Sequence, residues 1–469
     1  MMRSLAPGTT VAGLVADGNP DTSWVVATLS NDPNRGLEVE IPYIRSSGDS
    51  QFTTPEQWFT DHDIPSNLLF QSEDGDITLF DCHFTGRTEN LGRGTAFGRL
   101  GVREAVFHRR DGDPQSPLEV TEVRSTLDGL KEWTQFSSIS KTVHRTAENR
   151  AQKMVIEVEA LDVESWTHGD ATMLLETTWR DSDDPSGLKV VDSVVLTSSF
   201  AIPKPVSRHL AEQRQLVALL KVMFECGVRF RSHEIRDSRY TSRLLSGEVY
   251  DRPYVALVSR ATAGDYQEPV PDKNSLQHPI GRLADVGNDG LHLWNRLYSK
   301  WERVILPITA VIGRSALVED RMTSSGIAIE AAGVLLEIAA GEEVTWRGKN
   351  PTTATYALRC ISTLGLDWSQ IAASEVGLAR GIAKRYNSIK HPKPGPFPDA
   401  LQSYLISNIA VMLVRLVITA NIDGAGSLVG RYADGHLFAQ RLREFEDNNL
   451  YLDDDGEFVE HPTAGKLTP

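Results

Sequence analysis

The chain has 469 residues, too many for one ordinary core, and its 40% hydrophobic and 24% charged residues describe a soluble globular protein with two or three domains. A formal charge of −15 excludes a general nucleic-acid coat protein but leaves room for one local nucleic-acid site. Cys82, Cys226 and Cys360 are far apart and odd in number, so no disulfide framework is expected and a reducing, cytoplasmic setting is.

The first residues, Met1 to Gly8, lack an apolar run of signal-peptide length. From Thr22 to about Phe200 the pattern is β. Trp24–Leu29 is bracketed by turn residues, and Gly36–Ile41 alternates apolar and polar. Further strands are predicted at Ile77–Phe84, Gly98–His108, Met154–Leu161, Met173–Trp179 and Leu188–Ser198. Between Pro205 and Gly227 the leucines take helical spacing, and a strand at Tyr254–Ser259 follows. Residues 1–287 therefore read as one β-rich domain with a seam near 200, ending in a linker or long loop over Ala261–Gly290.

Residues 288–449 read as an all-α bundle of about six helices, so the fold class is α+β multidomain. Trp294, Leu297, Trp301, Val304, Ile308 and Ile312 keep helical spacing, with a kink expected at Pro307. Ser325–Ala340 is the next helix, and Asn350-Pro351 opens another that Gly365 closes. Trp368 to about Ile389 follows. Asp399 caps a long apolar helix to about Ile422, read as a core helix because Arg415 would be costly in lipid. A last helix spans roughly Arg431–Asn448, and residues 450–469 read as a loose acidic tail.

Four prolines between Pro392 and Pro398 must stop the helix that ends near His391. Val376 to Pro398 contains no acid, yet holds Arg380, Lys384, Arg385, Lys390 and Lys393. A basic pocket in an acidic chain suits a phosphate-bearing partner. His391 could move a proton at neutral pH and Arg385 could stabilise charge on phosphate oxygens. Together they suit cleavage of RNA by its own 2′-hydroxyl, a route that needs no metal or other cofactor. Asn387 would orient them. Lys384, Tyr386, Lys390 and Lys393 are candidate substrate contacts, although Tyr386 also lies on the apolar stripe and reads as core. A helix-terminal His is equally at home as a cap, and the basic residues as a solvated face.

An arginine, a polar residue and a histidine after five intervening positions, at a helix end in a C-terminal bundle, resemble the HEPN domain. The whole layout resembles the ApeA family of antiphage proteins, and Ile77–Cys82 is similar to a strand of that family's N-terminal domain. The resemblance implies an endoribonuclease of abortive-infection defence, acting on RNA with transfer RNA among the candidates. It also implies a homodimer or larger assembly that brings two sites into one cleft, and an N-terminal domain that senses infection, through a phage-derived trigger, or holds the nuclease in check. The family's Asn directly follows its Arg, whereas Tyr386 stands between Arg385 and Asn387 here. The family arginine is then either Arg385, or a position taken by Tyr386 in an alignment fixed on Asn387 and His391. A non-catalytic helical module that holds RNA, a nucleotide or a partner protein is the alternative.

Other signals are weaker. Asp61-His62-Asp63 and Cys82-His83 lack metal-site spacing. Gly92-Arg93-Gly94-Thr95 lacks that of a phosphate loop, and Ser324-Ser325 has no nearby His. Arg229–Arg236 mixes basic and aromatic residues but is interrupted by Glu234, so it reads as a solvated strand or loop.

Overall fold

The structure is a computed structural model that describes all residues except 1–4, 46–49, 91, 93, 185–186, 245, 314–315, 392–397, 424–425 and 463–469. It divides into two compact units. One comprises Met1–Lys131, Phe136–Arg214 and Arg229–Val270; the other comprises Glu132–Gln135, Gln215–Val228 and Pro271–Pro469.

In the first unit, fourteen strands pair antiparallel into one sheet among the described residues. Alternation decides which face is buried. Along Gly36–Ile44, Leu37, Val39, Ile41 and Tyr43 point inward at 2% exposure or less. The helix Ser50–Thr60 (α1) covers this face, and its Phe59 stacks on Tyr43 with centroids 5.6 Å apart. Gly98, paired with Ile41, admits that ring: a Cβ there would stand 2.1 Å from Phe59.

The inner strand Glu119–Leu127 lies between Gly187–Pro205 and Phe230–Arg236. A short helix, Leu130–Thr134 (α2), follows it, and the longer Val206–Phe224 (α3) comes after Gly187–Pro205. A buried chain of hydrogen bonds runs from His209 through Ser198, Gln213, Ser125 and His233 to Thr262. Burial lowers the pKa of both imidazoles, that of His233 to about 3, so they are neutral in the fold.

The second unit is built on α4 (Leu283–Lys300), α5 (Glu302–Val311), α6 (Val318–Leu335), α7 (Thr353–Leu364), α8 (Glu375–Lys390), α9 (Ala400–Ala420), α10 (Ser427–Ala433) and α11 (His436–Asp447). The axis of the unit is α9, which is long and apolar enough to cross a bilayer but is almost wholly buried here. Its one charged residue is satisfied inside: Arg415 donates to the carbonyls of Val222 at 2.7 Å and Met223 at 3.0 Å, and pairs with Glu225 at 2.5 Å. Those carbonyls belong to the last turn of α3, where a cation is favoured.

Several sequence expectations shift. The break expected at Pro307 lies at Trp301, whose φ of −108° and ψ of 19° separate α4 from α5, while Pro307 rides inside α5. The segment read as linker contains a 3-10 turn at Arg260–Tyr266 and the start of α4. The strand read at Ile77–Phe84 is interrupted at Asp81, whose φ is 52°. Arg229–Arg236 is not a loop: Phe230–Arg236 is an inner strand, and Arg231 and Arg236 pair with Asp128 and Glu122. The final helix is two, α10 and α11. The acidic tail is not loose over its described part, because Leu450–Leu452 and Phe458–Glu460 form a hairpin whose Leu452 is fully buried.

Candidate active site at the end of α8

Ser374 starts α8 by accepting the Gly377 N–H at 3.1 Å. Leu378, Ile382 and Tyr386 form the fully buried stripe. Two glycines on another face are explained by the C-terminal hairpin. A Cβ on Gly377 would meet the Asp453 carbonyl at 2.3 Å, and one on Gly381 would press on Leu452 at 3.0 Å. The close approach offsets the roughly 1 kcal/mol that a glycine inside a helix, here Gly381, costs. The helix stops where the prolines required: Lys390 is its last residue, and His391 leaves helical geometry with φ −124° and ψ 70°.

The same hairpin changes the electrostatics read from sequence. Arg380 pairs with Asp455 at 3.2 Å and donates to the carbonyls of Asp454 and Val344. Lys384 pairs with Glu457 at 2.5 Å, and Lys390 with Glu330 of α6 at 3.7 Å. Most of the expected basic pocket is therefore countered within the chain. Tyr386, expected both as core and as a substrate contact, is core. It is fully buried against Gly326 of α6, where a Cβ would stand 2.2 Å from its ring, and its hydroxyl donates to Glu330 at 3.3 Å.

Arg385 differs from its neighbours. Its guanidinium donates to the neutral amide oxygen of Gln402 at 2.8 Å and lies 5.9 Å from the Phe458 ring centroid. It has no ion pair among the described residues. Burial lowers its pKa, with Asp399 and Glu457 opposing that from farther off. Asn387 and His391 are exposed, and the His391 ring has no hydrogen-bond partner among the described residues.

At about 100° per residue, Lys384, Asn387 and His391 share one face of α8, while Arg385 sits roughly 120° round from His391. One copy of the chain thus brings Asn387 and His391 together and sets Arg385 apart on the side of α9. Lys393 lies outside the described residues. Sequence reasoning missed Gln402 and the acids of the hairpin. Asp399-x-x-Gln402 has the spacing of a capping box, and Asp399 does accept the Gln402 N–H at 2.8 Å, so Gln402 could have been placed beside this end of α8. Nothing in the polar tail betrayed its return onto α8. No three His, Cys, Asp or Glu side chains stand close enough to hold a metal ion among the described residues.

Among known proteins, the family model described as ApeA N-terminal domain 1 matches residues 13–242. No curated protein and no solved structure matches the chain.

Proposed function

Since the chain belongs to the ApeA family of antiphage proteins through its N-terminal half, we propose that its helical half is the effector, a HEPN-type endoribonuclease that needs no metal. The observation that carries this reading is Arg385, a half-buried guanidinium bonded to a neutral amide and in no ion pair among the described residues. A phosphodiester would supply the missing negative charge through paired charge-assisted hydrogen bonds.

In the proposed reaction, the ribose 2′-hydroxyl attacks the adjacent phosphorus as its proton passes to a base. The bond to the 5′-oxygen breaks with a proton returned to that oxygen, leaving a 2′,3′-cyclic phosphate and a 5′-hydroxyl. His391 performs the proton transfers, Arg385 stabilises the equatorial oxygens and Asn387 orients the phosphate or the imidazole. The offset between Arg385 and His391 round α8 favours a composite site, with a second copy of the chain supplying the complementary group; a homodimer is the simplest such assembly. Lys384 and Lys390 reach RNA only by exchanging Glu457 and Glu330 for phosphate. The N-terminal domain would sense the phage-derived trigger.

The same offset is the observation that favours a second reading, a helical module that binds RNA or a nucleotide without cutting it. Purified protein and its His391→Ala variant, incubated with total RNA and with transfer RNA in EDTA, separate the two. Cyclic-phosphate ends from the parent protein and none from the variant support the enzyme. Binding without fragments from either protein supports the module.

A further inference from the structure

A cleft of about 560 Å³ opens inside the helical unit, between the first turn of α4, the end of α10 and the first turn of α11. None of the residues that line it belongs to α8 or α9. It is therefore separate from the end of α8. Two arginines and two histidines line it: Arg282, Arg431, His278 and His436. The imidazole rings meet edge to face with centroids 4.7 Å apart.

The acid in the cleft is already engaged. Asp285 pairs with Arg431 at 2.8 Å and accepts the Arg282 N–H at 2.8 Å. Its pKa is lowered, those two contacts outweighing the effect of burial, so it stays ionised and bonded. Among the described residues the Arg282 guanidinium makes one bond, at 3.2 Å, to the Gln277 carbonyl and keeps further donors. The lining is thus cationic even with neutral imidazoles. Gly435, at the start of α11, brings no side chain to cap the first N–H groups of that helix, which adds to the pull on an anion. The opposite character is present too, since Ile280 and Leu437 give the cleft an apolar wall.

We propose that this cleft is a binding site for a nucleoside monophosphate, with the phosphate received by Arg282 and Arg431 and the base laid against Ile280 and Leu437. A bare phosphate would leave most of the volume empty, and an uncharged apolar ligand would leave the arginines unused. The site is independent of the nuclease reading.

Calorimetric titration of the full chain carrying His391→Ala tests it, using AMP, adenosine and inorganic phosphate as probes. AMP should bind at least about tenfold more tightly than either fragment. The double change Arg282→Gln with Arg431→Gln should weaken AMP about tenfold or more, and Arg385→Gln should leave it unchanged. His278, Arg431 and His436 are exposed and Arg282 is half-buried, and the melting temperature without ligand checks that each variant is folded. Should the double variant fail that check, His436→Ala takes its place and should weaken AMP several-fold. Absence of AMP binding at millimolar concentration overturns the site, as does equal binding of adenosine or phosphate. Loss of AMP binding in Arg385→Gln with retention in the cleft variants also overturns it.

Discussion

Two arginines of the helical unit stand in contrasting surroundings. Arg415 is 2% exposed, and its guanidinium is closed off by two carbonyls at the end of α3 and by Glu225. Glu225 also draws Arg321 at 3.5 Å and Arg441 at 3.6 Å. Arg385 is half-buried, yet among the described residues its guanidinium is hydrogen-bonded to the neutral amide of Gln402 and forms no ion pair. Both bear the cost of removal from water, and only Arg415 recovers it inside the fold. The histidines divide the same way. His209 and His233 are buried and bonded in a closed network, while His391 is exposed at a helix end. A polar group whose partners are complete holds the fold together; one whose partners are incomplete is placed to meet a ligand.

The largest effect should come from opening the completed set. Arg415→Met leaves the carbonyls of Val222 and Met223 without their donor and should cost about 3–5 kcal/mol in denaturant unfolding. A loss below about 1 kcal/mol would break the contrast. Next, His391→Ala should lower RNA cleavage about a hundredfold or more while moving the unfolding midpoint little. Wild-type cleavage by that variant would remove His391 from the chemistry.

Acid should act on the N-terminal unit through the buried imidazoles. In the fold their pKa values are depressed, that of His233 to about 3, while in the unfolded chain they are near 6.5. The unfolded state therefore binds more protons between these limits. The stability they carry is fully present above about pH 6.5 and falls progressively toward pH 3, with His233 alone accounting for roughly 3 kcal/mol at pH 4. His233→Gln should flatten that dependence in a pH series of unfolding curves; an unchanged slope would assign it elsewhere. The smallest effect belongs to Lys384→Gln. Its pair with Glu457 is 46% and 67% exposed, so unfolding should shift by less than about 0.5 kcal/mol, and cleavage should stay within a few-fold of the parent.

How much of this was legible in the sequence varied with where each residue finds its partner. Gly36–Ile44 was readable because strict alternation sorts Leu37, Val39 and Ile41 from Glu38 and Glu40. The inner strand Glu119–Leu127 was not, because one of its inward positions is Ser125, satisfied by Gln213 and His233 from distant parts of the chain. The end of α8 was readable because the proline run dictates it locally. Its electrostatics were not, because the counter-charges for Arg380 and Lys384 come from a hairpin some seventy positions later. Local backbone chemistry announces where a helix stops; it does not announce which distant carboxylate will return to neutralise it.

The contrast between the two arginines is tested most directly by measuring RNA cleavage and the unfolding midpoint on the same preparation of Arg385→Gln. The expected result is cleavage reduced about a hundredfold or more, with stability within about 1 kcal/mol of the parent, because the lost bond is to an exchangeable neutral amide. Undiminished cleavage together with a stability loss like that of Arg415→Met would make Arg385 a second structural arginine and contradict the assignment.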